Sequence, residues 1–248
     1  MDVLAGRNAV YEALRAGRRR LYRVLVARGA QERGTLADLL TLAVAHEVPV
    51  SYVERNQLDR LAGALNHQGV VAESDGYPYA STSDMLALAE ERTEPPLLLA
   101  LDGVQDPQNV GTLLRTAEAV GAHGVLLPQR RAVHITPAVS RASAGAVEHL
   151  RIAIVPNMVR AIQDLKGQGV WAVGVEDHPA AQDYDRVDLD MAVVLVLGGE
   201  DAGLHRLAAE RCDLLVRLPM RGQINSLNVA VAGSLMLYQA WQARRTQA

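Results

Sequence analysis

The residues best suited to chemistry lie in three segments built alike: an apolar run, a loop with glycine or proline, and the start of a helix. Near the C-terminus, Leu218-Pro219-Met220-Arg221-Gly222-Gln223-Ile224-Asn225-Ser226-Leu227-Asn228-Val229-Ala230-Val231-Ala232 leaves a strand, turns at Pro219 and Gly222, and enters a mostly apolar helix. Ser226 and Asn228 are polar residues at the mouth of that helix. Side chains there can cap it, and its free N–H groups can hold a ligand. A second segment, Leu97 to Ala117, contains Asp106-Pro107-Gln108-Asn109-Val110-Gly111-Thr112-Leu113-Leu114-Arg115-Thr116-Ala117. Asn109 reads as the N-cap. Gly111 and Arg115 are four apart and share a helix face, and Arg115 is the one charge between Val110 and Ala117.

The third segment is Leu197-Gly198-Gly199-Glu200-Asp201-Ala202-Gly203-Leu204. No Gly-Lys-Ser/Thr follows, so it is not a P-loop, and its glycine spacing fails the dinucleotide fingerprint. Glu200 and Asp201 would repel a phosphate. An acidic glycine loop suits hydroxyls, amines or a cation.

These loops need a scaffold, and the apolar pattern predicts an α/β one. Strands are expected at Leu97–Leu101, Gly124–Leu127, Arg151–Val155, Val170–Val175, Ala192–Leu197 and Leu214–Leu218, with helices after most of them. Val193-Val194-Leu195-Val196-Leu197 is apolar at every position, as in a parallel sheet covered on both faces. Residues 1–74 form a smaller α/β unit, with helices at Asn8–Ala16, Thr35–His46 and Asn56–Ala64 and strands at Leu21–Ala27, Val48–Val53 and Val70–Glu73. Residues 75–96 read as a linker with a short helix, ending at Pro95-Pro96, and 97–248 as the second domain. The last helix, Ser226 to about Arg245, carries Leu227, Val231, Leu235 and Tyr238 on one stripe and Val229, Ala232, Met236 and Leu237 elsewhere. A helix apolar on most sides needs cover beyond one sheet, so a second subunit is expected over it, with Met236 and Leu237 on the outer side.

The 248 residues carry a net charge of −3, which argues against a purely electrostatic nucleic-acid binder. Charge is uneven, however. Residues 1–33 hold eight arginines against Asp2, Glu12 and Glu32, and Lys166 is the chain's one lysine. Arginine forks onto phosphates, though a run such as Arg18-Arg19-Arg20 is commonly a solvated turn. The single cysteine, Cys212, leaves no internal disulfide and no cysteine-based metal site. His46, His67, His123, His134, His149, His178 and His205 show no ligand spacing, so no metal is expected. No apolar run reaches the ~18 residues of a membrane helix, and residues 1–7 lack a signal-peptide core, which predicts a cytoplasmic protein.

Taken together and in order, the three segments resemble the motifs of the SpoU (TrmH) family of RNA 2′-O-ribose methyltransferases, within the SPOUT superfamily. The resemblance covers about residues 97–245. It implies a SPOUT domain with a deep trefoil knot, a homodimer, and S-adenosylmethionine as cofactor. It implies catalytic roles for Asn109 and Arg115, with Glu200, Ser226 and Asn228 completing the catalytic motifs. Arg115 would engage an RNA phosphate and help activate the ribose hydroxyl. A guanidinium stays protonated well above neutral pH, so two routes are open: stabilising a developing alkoxide, or losing a proton in a special environment. Cofactor contacts are implied for Gly198, Leu218, Met220, Gly222 and Leu227.

Two positions depart from the family: Ala230 stands where serine is frequent, and Arg141 where lysine is common. Gly6-Arg7-Asn8-Ala9-Val10 and Asn66-His67-Gln68-Gly69-Val70 resemble the substrate-binding domain of the 23S ribosomal RNA guanosine branch, a fold similar to ribosomal protein L30e. Arg7, Arg18, Arg19, Arg20 and Arg141 are the candidate RNA contacts. Rival readings are a transfer-RNA or antibiotic-resistance ribosomal RNA 2′-O-methyltransferase, and a non-catalytic RNA-binding or ribosome-assembly protein. The last would have no need to keep all five catalytic-motif residues.

Overall fold

The computed structural model of the chain describes residues 2–200 and 203–245. In chain order the elements are β1 (Asp2–Ala5), α1 (Arg7–Ala16), β2 (Leu21–Ala27), α2 (Thr35–Ala45), β3 (Val50–Val53), α3 (Arg55–Ala62), β4 (Val70–Ser74), α4 (Thr82–Arg92), β5 (Leu97–Asp102), α5 (Pro107–Ala119), β6 (Gly124–Pro128), α6 (Pro137–Ala142), β7 (Ile152–Val155), α7 (Met158–Lys166), β8 (Trp171–Val175), β9 (Gln182–Asp183), β10 (Val193–Gly198), α8 (Arg206–Ala209), β11 (Leu214–Arg217) and α9 (Val229–Arg245). Short 3-10 turns lie at Ala146–His149 and Tyr184–Arg186.

They fall into two compact units. One holds residues 1–78 and 135–149, the other 79–134 and 150–248. The first contains a four-stranded sheet in the order β1-β4-β2-β3. Strand β4 runs antiparallel to β1 and β2, while β3 runs parallel to β2. One face packs Val24, Val26, Val70 and Ala72 against α1 and α2; the other packs Leu25 and Val71 against α3. The segment from Ile135 to His149 belongs to this unit through a polar knot of side chains. Arg19 and Glu148, both almost fully buried, form an ion pair. Tyr77 donates to the Val147 carbonyl at 3.1 Å, and the Arg18 guanidinium donates to the Tyr77 hydroxyl and the Glu148 carbonyl, both at 3.3 Å. Burial pushes the Tyr77 phenol up to about 12, so it stays a donor.

The second unit is built on seven parallel strands in the order β7-β6-β5-β10-β8-β11-β9. All six residues of β5 and all six of β10 are buried, as their apolar runs at 97–101 and 193–197 require, and Asp102 at the end of β5 is buried with them. Gly233 lets α9 approach the centre of this layer: a Cβ there would lie 2.3 Å from Leu197 and 2.5 Å from Leu113. The C-terminal end of α9 is tied down by Arg244, which donates to the carbonyls of Pro95 (2.6 Å), Pro96 (3.0 Å) and Met191 (2.7 Å).

Two local expectations change. The last helix starts at Val229, not Ser226, because the Asn228 side chain accepts from the Ala230 N–H at 2.8 Å and caps it. Its inward face is Ala230, Gly233, Met236, Leu237 and Ala240, so Met236 and Leu237 are core residues. The outward stripe is Val231, Leu235 and Tyr238, preceded by Leu227.

The buried pair yields a stability prediction. Arg19→Met leaves the Glu148 carboxylate buried without its partner and should cost about 3–5 kcal/mol. Arg15→Ala, at an exposed pair, should cost about 1 kcal/mol or less. Urea unfolding of the two variants checks this; equal midpoints would show that the buried pair does not hold the segment.

Candidate functional site

Parallel strands send all their C-terminal loops to one edge, where crevices for ligands open. Here that edge gathers the three motif loops. Helix α5 begins earlier than expected: Asp106 is its N-cap, accepting from the Gln108 N–H at 3.1 Å, and Pro107 occupies the first turn. Asn109 is therefore not the cap, and its amide is free to reach sideways. Its nitrogen donates to Glu200 Oε1 at 2.8 Å, and its oxygen accepts from Asn228 Nδ2 at 3.0 Å. One residue from each motif is thus joined in a single chain, across 91 and 119 positions of sequence. Asn228 bonds at both ends, capping α9 with its oxygen and reaching Asn109 with its nitrogen.

Beside this chain is a cavity of about 480 Å³. Its lining includes the candidates Gly198, Glu200, Leu218, Met220, Ser226, Leu227 and Asn228. Gly222 is exposed, with nothing near its Cβ position, and stands outside the lining. Asn109 touches the site through Glu200 and Asn228. Arg115 is exposed on α5, and no hydrogen bond or ion pair engages its side chain among the described residues. Asp201 and Ala202 lie outside the described residues.

The glycine loop is shaped by backbone crowding. A Cβ on Gly198 would lie 1.9 Å from the Gly203 carbonyl carbon, and one on Gly199 would lie 2.6 Å from the Gly103 carbonyl oxygen. Gly199 and Gly203 pair across the loop, and Gly203 has φ +64°. The Glu176 carboxylate accepts from the Leu204 N–H at 2.9 Å and anchors the far side.

Glu176, Asp177, Asn225 and Arg217 line the cavity and were not singled out from sequence. The signal existed for the first two: they follow directly on β8, at the carboxyl end of a buried parallel strand. Arg217 bonds Asp183 at 2.8 Å, which holds the Asp183 carboxyl below its ordinary range and raises the guanidinium. Near the same edge His205 Nδ1 lies 2.9 Å from Asp102 Oδ2. The described residues contain no group of three or more His, Cys, Asp or Glu placed to hold a metal, and no helix among them is long and apolar enough to cross a membrane. Burial lifts the Cys212 thiol to about 12, so it is not a nucleophile near neutral pH.

Of the candidate RNA contacts, Arg19 is corrected: it is buried and its charge is taken by Glu148. Arg18 is likewise engaged, with Tyr77, Pro78 and Glu148. Arg20 is exposed over the Tyr22 ring at 5.2 Å, Arg7 donates to the Gln68 carbonyl at 3.2 Å, and Arg141 is partly exposed on α6.

Residues 96–238 match the family model described as SpoU rRNA Methylase family, and residues 3–80 match the one described as RNA 2′-O ribose methyltransferase substrate binding. The chain belongs to the SpoU rRNA methylase family. As a SpoU methylase it is an RNA methyltransferase, and its relatives extend along nearly the whole chain. A Bacillus subtilis protein, YacO, assigned by name to the TrmH family of tRNA/rRNA methyltransferases, is 41% identical over 243 residues, covering 98% of this chain and 96% of its own. A Staphylococcus aureus protein with the same family name is 38% identical over 242 residues, with the same coverage. Among solved structures, an rRNA methyltransferase of Sinorhizobium meliloti bound to AdoMet superposes with a TM-score of 0.77 at 28% identity, covering all of this chain and 88% of its own. The SpoU methyltransferase AviRb of Streptomyces viridochromogenes, in complex with AdoMet, shares the fold with a TM-score of 0.80 at 23% identity, covering 98% of this chain and 90% of its own.

The crowding at Gly198 gives a local test. Gly198→Ala pushes a methyl into backbone and should cost roughly 1–3 kcal/mol, whereas Gly222→Ala, facing open space, should change stability by about 0.5 kcal/mol or less. Thermal unfolding followed by circular dichroism should show a lower midpoint for the first alone.

Proposed function

We propose that this SpoU methylase transfers a methyl group from S-adenosylmethionine to a ribose 2′-hydroxyl of RNA, with large-subunit ribosomal RNA as the substrate and a guanosine as the target. The observation that carries the reading is the hydrogen-bonded chain Glu200–Asn109–Asn228 beside the cavity. The cavity fits the cofactor in size and chemistry. At about 480 Å³ it lies in the range of small-molecule sites. Leu197, Leu218, Leu227, Val229 and Ala232 give it apolar walls, and Glu176, Asp177 and Glu200 give it acidic ones. Acidic groups disfavour a phosphate and suit an amine or a positively charged sulfur. Gly198, Leu218, Met220 and Leu227 would hold the cofactor, and when bound it supplies a methyl group activated by a sulfonium.

The protein's own part is positioning and charge. Asn109 fixes the orientation of Glu200 at the cavity wall and of Asn228 at the helix mouth. Ser226, exposed and lining the cavity, is left with a hydroxyl to offer the ribose. Arg115 carries an exposed positive charge on α5, the helix that also carries Asn109. It suits the phosphate next to the reacting ribose, and it would stabilise the oxygen as the hydroxyl proton leaves. The match of residues 3–80 to a substrate-binding model supports an RNA substrate held by the N-terminal unit as well as by the catalytic one. An RNA substrate is in keeping with a cytoplasmic enzyme.

Arg115→Ala should lower methyl transfer to ribosomal RNA by roughly 10²–10³-fold while the S-adenosylmethionine affinity read by calorimetry stays within about threefold. Near-wild-type turnover would make Arg115 a structural residue. Mapping ribose methylation on ribosomal and transfer RNA, with and without the gene, identifies the nucleotide.

The outward stripe of α9 supports a homodimer. Leu227, Val231, Leu235 and Tyr238 are each 41–48% exposed on the single chain, a row of large apolar side chains that a second copy would cover. Val231→Asp with Leu235→Asp should give a folded, inactive monomer in light scattering. A wild type that is monomeric and active at micromolar concentration would refute the dimer.

A further inference from the structure

The two ends of the N-terminal sheet differ in how their arginines are used. Strands β1, β2 and β3 finish, and β4 starts, at the same end: Ala5 pairs with Val71, Val26 with Val70, and Ala27 with Val53. The loops there are stitched by Gly6 N–H to Val70 O (3.0 Å), Ala27 N–H to Gly69 O (2.9 Å) and Arg28 N–H to Val53 O (2.8 Å). They and the helix starts beside them carry Arg7, Arg28, Arg33 and Arg55 together with Glu32, Asp38, Glu54 and Asp59. Arg28, Arg33 and Arg55 are exposed. Among the described residues no ion pair or side-chain hydrogen bond engages Arg33 or Arg55, and Arg28 meets Glu54 only at 3.6 Å across an exposed surface. The Glu32 carboxylate accepts from the Tyr52 hydroxyl at 2.7 Å, leaving that exposed ring beside the arginines.

The opposite end carries Arg15, Arg18, Arg19, Arg20 and Arg23 together with Asp2, Glu12, Glu47, Glu73, Asp75 and Glu148. Arg19 is buried on Glu148, Arg23 forks onto Glu73 at 2.7 Å with both bonds, and Arg18 is taken by carbonyls and Tyr77. The Arg23 fork holds the Glu73 carboxyl below its ordinary range. Arg18, Arg19 and Arg23 at that end are thus engaged by protein partners, whereas Arg33 and Arg55 at the first end are engaged by none of the described residues.

The first end also displays amides on a fixed loop. Asn66 and Gln68 are exposed, and His67 between them is buried. His67 Nδ1 accepts from the Gly69 N–H at 3.0 Å, which places the ring proton on Nε2, 2.9 Å from Asp59 Oδ1. Arg7 Nε clamps the Gln68 carbonyl, and Gln68 is held at φ +51°, a conformation non-glycine residues seldom adopt. Strain of this kind persists where its surroundings over-determine it, and it collects at binding loops.

We propose that this end of the N-terminal unit, and not the Arg18–Arg23 end, is its RNA-binding surface. Arg7, Arg28, Arg33 and Arg55 contact phosphates, Tyr52 offers a stacking face, and Asn66 and Gln68 read base edges of unpaired nucleotides. His67 is a positioning residue for that loop. The proposal rests on the methyltransferase reading for its ligand class.

The test uses the full chain, purified ribosomal RNA and total transfer RNA as probes, and affinity measured across a salt series. Arg33→Ala with Arg55→Ala should weaken ribosomal RNA binding and reduce the slope of log K against log salt by about 0.7 for each arginine. Arg20→Ala with Arg15→Ala should leave both unchanged. Gln68→Ala should keep the slope and narrow the preference for ribosomal over transfer RNA. Methyl transfer is followed alongside. A wild type that binds and methylates RNA, with the Arg33/Arg55 variant binding as tightly, overturns this surface and leaves the proposed function standing. A larger loss from the Arg15/Arg20 pair overturns it in favour of the other end. A wild type with no affinity for either RNA overturns both readings.

Discussion

The candidate site depends on one amide. Asn109 has an acceptor on one side and donors on the other, and it uses both, toward Asn228 and toward Glu200. No other side-chain type of that length could do this: aspartate would oppose Glu200, and leucine would bond neither. Each bond is worth about 1 kcal/mol at a partly exposed position, so their value is orientation more than stability. The three parallel strands β5, β10 and β11 deliver the loops to one edge. Gly233 then lets α9 settle against Leu197 and Leu113, so that its cap comes within reach of α5. Packing at a glycine thus sets a polar distance elsewhere on the same helix.

Much of the scaffold was legible because its signal is local. The run from Leu21 to Ala27 is a strand with those bounds, and the apolar run at residues 193–197 is the buried strand it promised. Short or weakly apolar elements were not: β1 and β9 have four and two residues, too few for a period. The start of α5 was misjudged from local signals alone, since Asp106 followed by Pro107 is a better start than Asn109. The direction of α9 was not legible at all. A helix apolar on most sides has no preferred face, and the small residues Gly233 and Ala240 decide which side meets the sheet.

Site residues divide the same way. The motif loops stood out by composition, and their order carried the family. What composition could not give is distance in space. Glu176 is an ordinary glutamate until β8 places it against Leu204. Arg19 reads as a free cation until Glu148, 129 residues away, neutralises it. Counting arginines in a window measures supply, whereas binding depends on which charges lack partners after folding.

That distinction reconciles an acidic chain with a polyanionic substrate. Screening confines exposed charges to roughly 8 Å at physiological salt, so RNA responds to local surpluses and not to a net charge of −3. The cavity wall is acidic through Glu176, Asp177 and Glu200, a character that favours a cationic cofactor and repels phosphate. The substrate backbone therefore has to be held by other residues. Arg115, on the helix that also carries Asn109, is an exposed cation that no hydrogen bond or ion pair engages among the described residues. A sulfonium and a polyphosphate demand opposite charges, so one chain that meets both needs separate acidic and basic surfaces, which no single pocket of either sign could provide.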